Sequence, residues 1–156
     1  MAYTFENFKV MFWSSAKRHN VNSMIRACTT EEQRDKIVAI WGRDTLDLAP
    51  EEYNKRVPTV KDLQKILRNP SIRKAGESDW DLSNTLLLDD SVMKAVLQPY
   101  NHVCIPEFMG DEDYWMGKLG EDDTALREVI GYLEELRYQA HVARFIRQEP
   151  FRVGDG

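Results

Sequence analysis

The chain has 156 residues, of which 42% are hydrophobic and 30% are charged, and its 21 Lys and Arg against 26 Asp and Glu give a net charge of −5. This length is typical of one domain, and a chain of this size buries enough surface to fold without a disulfide or a structural metal. The acidic balance argues against a general binder of nucleic acid or of anionic membranes, and the four Trp argue against disorder.

The cysteines and the hydropathy pattern indicate in which cellular compartment the protein is found. Cys28 and Cys104 lie far apart without a CxxC motif, which argues against a zinc site and is typical of a reducing compartment. The longest apolar runs have only about five residues, so we expect no membrane span. The first ten residues do not resemble a signal or transit peptide. We therefore expect an intracellular protein, in the nucleus, the cytoplasm or the mitochondrion.

Short apolar runs alternate with segments of helical periodicity. The apolar runs predict buried strands at 10–13, 37–41, 85–88 and 102–105. Spacings of three and four predict helices at 17–27, 60–67 and 92–98, and a long final helix at 122–147. Thr30, followed by Gln33, predicts a capped helix start. The remaining long stretches, 42–58 and 69–84, are predicted as connections. This order predicts an α/β fold, with a parallel sheet flanked by helices.

Polar clusters follow two of the predicted strands, where parallel sheets carry their chemistry. Ser14-Ser15 follows the first strand and Asp89-Asp90 follows the third. A serine pair there is most often a helix N-cap, and a Lys at a helix start, such as Lys61, is most often a solvated charge. Only one of two adjacent carboxylates is needed as a cap, so a structural and a functional role both stay open. An Asp pair can also bind Mg²⁺.

Together, the hydroxyl, the ammonium and the carboxylate pair favour phosphate chemistry. The hydroxyl and the ammonium can hold phosphoryl oxygens, and the metal can neutralise developing charge. The nucleophile is missing from this set. If no such chemistry exists, the same residues are only the helix caps of an ordinary α/β domain.

Several stretches occur in a specific order, namely VMFWSSA (10–16), VKDL (60–63), LLLDDS (86–91), QPYNHVCIPEF (98–108) and IGYLEEL (130–136). In this order and spacing the chain resembles the haloacid dehalogenase superfamily, in the branch of RNA polymerase II C-terminal-domain phosphatases, NLI-interacting factors and Tim50-type mitochondrial import subunits. The resemblance implies a Rossmann-like fold, with one domain over 1–148 and a tail over 149–156.

The resemblance also implies roles for single residues. Ser14 would hydrogen-bond the phosphoryl group, and Lys61 would neutralise nucleophile and phosphate. Asp90, supported by Asp89, would bind Mg²⁺. Ser15, Arg43 and Ser91 are near enough in the sequence to these motifs to line the substrate site, although no motif assigns them a role, and we expect Ser15 and Arg43 to bind substrate.

The chain departs from the family at its first motif. Family members carry DxDx(T/V) on an upstream strand, and its first Asp is the nucleophile. Two Asp-x-Asp sequences occur here, at 79–83 and 111–115, and we interpret both as solvated loop acids. The family's first strand is central, between the strands that end in motifs two and four. We therefore expect a longer polypeptide, a strand supplied by another chain, or a rearranged sheet, and we favour the first.

Two functions follow from the resemblance. The first is a Mg²⁺-dependent phosphoserine or phosphothreonine protein phosphatase domain, predicted to be inactive as this chain because the nucleophile motif is absent. The alternative is a non-catalytic pseudophosphatase that acts as a protein-interaction subunit. The expected partners are accordingly a phosphoprotein substrate or another protein, and direct binding of nucleic acid is not expected.

Overall fold

Helices and short parallel strands alternate along the chain, which confirms the predicted α/β class. The structure, a computed structural model, describes residues 1–75, 79–107 and 124–152. It divides the chain into two units, Met1–Trp80 and Asp81–Gly156. Each unit contains one pair of parallel strands, so the four strands form two two-stranded sheets.

The first unit is built around a strand–helix–strand connection. Its elements are α1 (Ala2–Asn7), β1 (Val10–Trp13), α2 (Arg18–Cys28), α3 (Glu31–Asp35), β2 (Ile37–Trp41), a 3₁₀ turn (Arg43–Thr45), α4 (Leu63–Leu67) and α5 (Pro70–Ala75). The predicted capping box is present, because the Thr30 hydroxyl accepts from the Gln33 backbone N–H and the Gln33 side chain accepts from the Thr30 N–H. Both predicted strands of this unit have the predicted bounds.

Strands β1 and β2 run parallel, with Trp13 beside Trp41 at their carboxyl ends. The two indole rings meet edge to face, with centroids 5.1 Å apart, and the buried Trp13 donates through Nε1 to the Thr45 hydroxyl at 2.9 Å. The core of this unit also contains Val21, Ile25, Leu46, Leu63, Ile66, Leu67 and Ile72. The indole bond ties the end of β1 to the turn that follows β2.

Gly42 lies where the chain leaves β2 and passes the first residue of α2. A Cβ at this position would lie 3.0 Å from both the backbone N and the Cα of Arg18. Backbone atoms give way less easily than a flexible side chain, so any larger residue at position 42 would have to displace the start of α2 by a few tenths of an ångström. Arg18 and Asp44 form an ion pair beside it, with Nη2 to Oδ2 at 2.8 Å.

The second unit contains β3 (Leu87–Asp89), 3₁₀ turns at Val92–Ala95 and Pro99–Asn101, β4 (His102–Cys104), α6 (Thr124–Leu136) and α7 (Val142–Gln148). Strands β3 and β4 are parallel and pair Leu87 with His102 and Asp89 with Cys104. Among its described residues, the core includes Ala95, Val103, Val129, Leu133, Leu136, Val142 and Ile146. Buried Asn101 donates through Nδ2 to the carbonyls of Leu82 and Thr85, both at 2.7 Å.

The single final helix predicted at 122–147 is wrong, because α6 and α7 are separate helices. The apolar spacing of three and four lapses after Leu136 and resumes only at Val142, so no continuous apolar stripe holds one helix together. His141 caps α7 by accepting from the Arg144 N–H, and the Val142 N–H donates to the Ser83 carbonyl at 2.7 Å. The residues after α7 still make contacts, since the Tyr132 hydroxyl donates to the Glu149 carbonyl and Phe151 packs on the Tyr132 ring.

Other boundaries also differ from the predictions. The loop predicted at 69–84 contains α5, which Asn69 caps through its side-chain oxygen and which buries Ile72. The helix predicted at 92–98 is one 3₁₀ turn at its start. The third strand lies two residues later than predicted at its start and includes Asp89. Within the ranges that the structure describes, no helix has the length and apolar character needed to cross a membrane.

Candidate functional site

Ser14 stands at the carboxyl end of β1, as predicted, and shapes the turn into α2. Its N–H donates to the Trp41 carbonyl at 3.0 Å, which extends the strand pairing by one residue. Its hydroxyl accepts from the Ala16 N–H at 3.1 Å. The N-cap of α2 is Lys17, which makes no side-chain capping bond. The serine pair therefore forms a turn before the helix and is not its N-cap.

Arg43 holds this serine turn and the loop after β2 through backbone carbonyls. Its guanidinium donates from Nε to Tyr53 at 2.6 Å, from Nη1 to Ser15 at 3.3 Å, and from Nη2 to Glu52 and Lys55. Its own N–H donates to the Ala16 carbonyl at 2.8 Å. Four of the five guanidinium N–H groups are thus engaged with carbonyls, which leaves little capacity for a bidentate phosphate contact. Its predicted part in substrate binding stays a prediction.

Lys61 lies directly before α4 and is only 4% exposed. The next residue, Asp62, is the N-cap of that helix and accepts from the Gln64 N–H at 3.0 Å. This burial differs from the solvated charge that a Lys at a helix start most often is. A buried ammonium needs hydrogen-bonding or anionic partners, so the position is compatible with the role that the family resemblance implies.

Asp89 and Asp90 stand at the carboxyl end of β3, with very different exposure. The Asp89 side chain is 6% exposed, and that of Asp90 is 42% exposed. One Asp89 carboxylate oxygen, Oδ1, accepts from the Ser91 N–H at 3.0 Å and so forms the turn that leads into the 3₁₀ segment. Asp89 thus has a structural role in this turn, whereas Asp90 has no such bond among those of the described residues.

Lys94 completes this cluster, although the sequence reasoning did not single it out. Its Nζ lies 3.2 Å from Asp89 Oδ1 and 3.6 Å from Asp90 Oδ1. The 3₁₀ turn brings it back to the carboxylates, because the Lys94 N–H donates to the Ser91 carbonyl at 3.1 Å. Its spacing of four from Asp90 is the signal that could have identified it.

Strand β4 supplies the other neighbours of the carboxylate pair. Buried His102 has Nε2 2.9 Å from the Asp89 carbonyl oxygen, and since a carbonyl only accepts, Nε2 carries the proton. The Cys104 thiol donates to the Asp90 carbonyl at 3.6 Å. Burial, together with the charges of Asp89 and Asp90, raises the pKa of the Cys104 thiol. The thiol therefore stays protonated near neutral pH and is a poor metal ligand.

The carboxylate pair fits Mg²⁺ by its donor chemistry. Mg²⁺ prefers oxygen ligands and is commonly held by one or two carboxylates together with water and phosphate oxygens. Among the described residues, no group of three or more His, Cys, Asp or Glu could hold a metal ion. Within the described ranges, a metal here would have Asp89 and Asp90 as its carboxylate ligands, beside the Lys94 ammonium described above.

The two Asp-x-Asp sequences divide between described and undescribed residues. Asp79 is exposed and lies 3.8 Å from Arg73. Asp81 accepts from the N–H and the hydroxyl of Ser83, and these bonds lower the pKa of the Asp81 carboxyl. Both are thus surface acids, as predicted. The second sequence, at 111–115, lies outside the described residues.

The structure brings the predicted residues together in two sets, each within one unit. Ser14, Ser15 and Arg43 meet at the end of β1, while Asp89 and Asp90 adjoin each other at the end of β3 and share Lys94. Lys61 belongs to the first unit. Each set stands at the carboxyl end of a parallel strand, the position at which α/β sheets carry their chemistry.

Comparisons with known proteins identify the family. The sequence model of the NLI interacting factor-like phosphatases matches residues 1–144. The chain is also 32% identical, over 154 residues, to an uncharacterized FCP1 homology domain-containing protein of Schizosaccharomyces pombe. That alignment covers 98% of this chain and 62% of the relative, so the chain spans less than two thirds of the relative's length. With a family match over most of its length and parallel strand pairs flanked by helices, the chain belongs to the NLI interacting factor-like phosphatase family, of the haloacid dehalogenase type.

Proposed function

We propose that this protein carries the metal-binding and phosphoryl-binding residues of a Mg²⁺-dependent phosphoserine or phosphothreonine phosphatase. The observation that carries the proposal is the carboxylate pair, Asp89 and Asp90, at the end of a parallel strand. One carboxylate is fixed by a turn and the other is half-exposed, so one positions the pair while the other reaches an ion from solvent. When bound, Mg²⁺ would neutralise charge on the phosphoryl oxygens.

On the phosphoryl side, the proposal assigns a hydroxyl and an ammonium. Ser14 would donate its hydroxyl proton to a phosphoryl oxygen, a donation that its acceptor bond with the Ala16 N–H leaves open. Lys61 would supply positive charge from a buried position, where a charge acts more strongly than in water. Ser15 and Arg43 support the serine turn from its backbone side.

Turnover by this mechanism needs an aspartyl nucleophile, which forms a bond to phosphorus as the serine or threonine oxygen leaves. Residues 1–156 contain no DxDx(T/V) sequence. We therefore propose that the 156-residue chain binds Mg²⁺ but does not hydrolyse phosphomonoesters unless such an Asp is supplied.

A second candidate function is that of a non-catalytic interaction subunit. It is favoured by an exposed apolar segment next to the carboxylate pair, where the side chains of Val92, Met93, Val96 and Leu97 are 52% to 63% exposed. Contiguous exposed apolar side chains are typical of surfaces that bind other proteins. An interaction subunit has no need of a metal, so Mg²⁺ binding separates the two functions.

Mg²⁺ titration by calorimetry, run beside a p-nitrophenyl phosphate assay, tests the proposal. We expect measurable Mg²⁺ binding, a loss of roughly tenfold or more in affinity for Asp90→Asn, and no turnover above background. Asp35→Asn, a change of the same charge at an exposed residue of α3, should leave the affinity unchanged. Absence of Mg²⁺ binding in the folded wild-type protein would contradict the metal assignment and favour the interaction subunit.

A further inference from the structure

We propose that Lys94 is a built-in competitor for the metal position, a positioning residue whose ammonium occupies the place between Asp89 and Asp90 that Mg²⁺ would take. This inference rests on the proposed metal function of the carboxylate pair and extends it. It predicts that the protein binds Mg²⁺ only by displacing Lys94, so that Lys94 sets the affinity.

The distances support a shared cation position. The Lys94 Nζ lies 3.2 Å from Asp89 Oδ1 and 3.6 Å from Asp90 Oδ1, so one ammonium serves both carboxylates. Two adjacent carboxylates repel each other, and a cation between them relieves that repulsion. Lys94 supplies one positive charge to this position, whereas Mg²⁺ would supply two.

The local backbone keeps Lys94 in reach of the pair without fixing its side chain. The 3₁₀ turn at Val92–Ala95 and the Ser91 carbonyl place the Lys94 backbone next to Asp89. The Lys94 side chain is 24% exposed, so a route to solvent is open to it. A Lys ammonium on a four-carbon stem is a mobile, strongly hydrated point charge, and it can leave such a contact at low cost.

Competition gives a measurable expectation for affinity. Removal of the ammonium takes away its contacts with the two carboxylates and abolishes its repulsion of Mg²⁺. Lys94→Met should therefore tighten Mg²⁺ binding by up to about fivefold, the largest factor that one partly exposed ion pair represents. Lys94→Arg keeps the charge and should stay within about twofold of the wild type. Lys36→Met removes the same charge from an exposed pair with Glu32 on α3, and it should leave the affinity unchanged.

A second measurement uses the wild-type protein and does not depend on any variant folding. Reductive methylation, read by mass spectrometry, reports how accessible each lysine amine is. Saturating Mg²⁺ should raise the methylation rate of Lys94 severalfold, whereas Lys36, in the same sample, should show no change. Lys94 labelling that is unchanged at saturating Mg²⁺ would show that the ammonium is not displaced, and the proposal would be overturned.

The outcomes separate this inference from the metal assignment. Equal Mg²⁺ affinity of wild type and Lys94→Met, with binding lost in Asp90→Asn, overturns the role of Lys94 and leaves the metal site standing. An absence of Mg²⁺ binding in wild type and Lys94→Met alike, with circular dichroism showing both folded, overturns both. Both are supported if Lys94→Met binds Mg²⁺ more tightly than the wild type while Lys94→Arg and Lys36→Met do not, and if saturating Mg²⁺ raises the methylation rate of Lys94.

Discussion

Replacement of Arg43 by Met tests whether this residue is a structural clasp or a substrate ligand. Its guanidinium donates to the carbonyls of Ser15, Glu52, Tyr53 and Lys55, and thereby joins the turn after β1 to the loop after β2. Met has a similar length but donates no hydrogen bond. The variant therefore removes all of these bonds while the aliphatic packing is largely kept.

The number and type of bonds set the expected magnitude. Hydrogen bonds to a charged group contribute roughly 1.5–3 kcal/mol each, and a carbonyl left without a partner costs about 1–3 kcal/mol when water cannot reach it. Parts of this loop are exposed, so water will replace some of the lost bonds. We expect a loss of about 3 kcal/mol in the free energy of unfolding, which corresponds to a fall of about 6–12 °C in Tm for a chain of this size.

Urea unfolding monitored by Trp fluorescence measures this loss, since Trp13 and Trp41 lie beside the clasp. Arg43→Lys should recover only part of the stability, because one ammonium cannot replace a planar fork with donors to four carbonyls. Arg68→Met, at an exposed residue just after α4, should change the stability by less than about 0.5 kcal/mol. A loss below about 1 kcal/mol for Arg43→Met would refute the structural role of these bonds.

Three further predictions concern other parts of the fold. Burial and nearby acids raise the pKa of Tyr132 to about 12, so its contribution to stability is present below pH 10 and is lost as the pH rises toward 12. Tyr132→Phe lacks this group, so its free energy of unfolding should fall by about 1–2 kcal/mol less than that of the wild type over the same pH range, a figure that allows for partial exposure. Urea unfolding at each pH measures the difference. Gly42→Ala should destabilise the protein by about 1–3 kcal/mol, because its Cβ would meet the Arg18 backbone. Gly131→Ala has open space around it in α6 and should stabilise the protein by up to about 1 kcal/mol. Equal Tm shifts for the two variants would contradict this. Because the pKa of Cys104 is raised, its thiol should react with dithiobis(nitrobenzoate) at pH 8 more slowly than exposed Cys28, and the Cys28→Ser and Cys104→Ser variants assign the two rates.

The sequence predicted best where a local pattern and the final packing agree. The runs VMFW and IVAIW are apolar throughout, and both became strands with the predicted bounds. The Thr30–Gln33 capping box depends on neighbouring residues alone, so its bonds follow from the sequence.

Predictions failed where a signal was ambiguous or a partner lay far along the chain. The stretch 69–84 is predicted as a connection, although Asn at the N-cap and Pro at the first helical position, as in Asn69-Pro70, are equally a helix start, and α5 follows them. The register of β3 is fixed by β4, which pairs Asp89 with Cys104, and no local pattern states that pairing. The Arg43 bonds reach from Ser15 to Lys55, so a local reading of the loop could not show that its guanidinium is already engaged.

The two basic residues at the strand ends illustrate why a candidate site cannot be assigned from residue type alone. The Arg43 guanidinium is a rigid fork of donors, and four of its five N–H groups each donate to a different backbone carbonyl. Such a residue is expected to stay in place whatever binds nearby, because movement would break several bonds at once. Lys94 instead contacts two carboxylates through one mobile ammonium, so a divalent ion that satisfies those carboxylates better can displace it. Arg43, which the sequence places near the substrate site without a motif, thus binds backbone carbonyls, and Lys94, which no motif marks either, is the residue whose contacts we propose a ligand replaces.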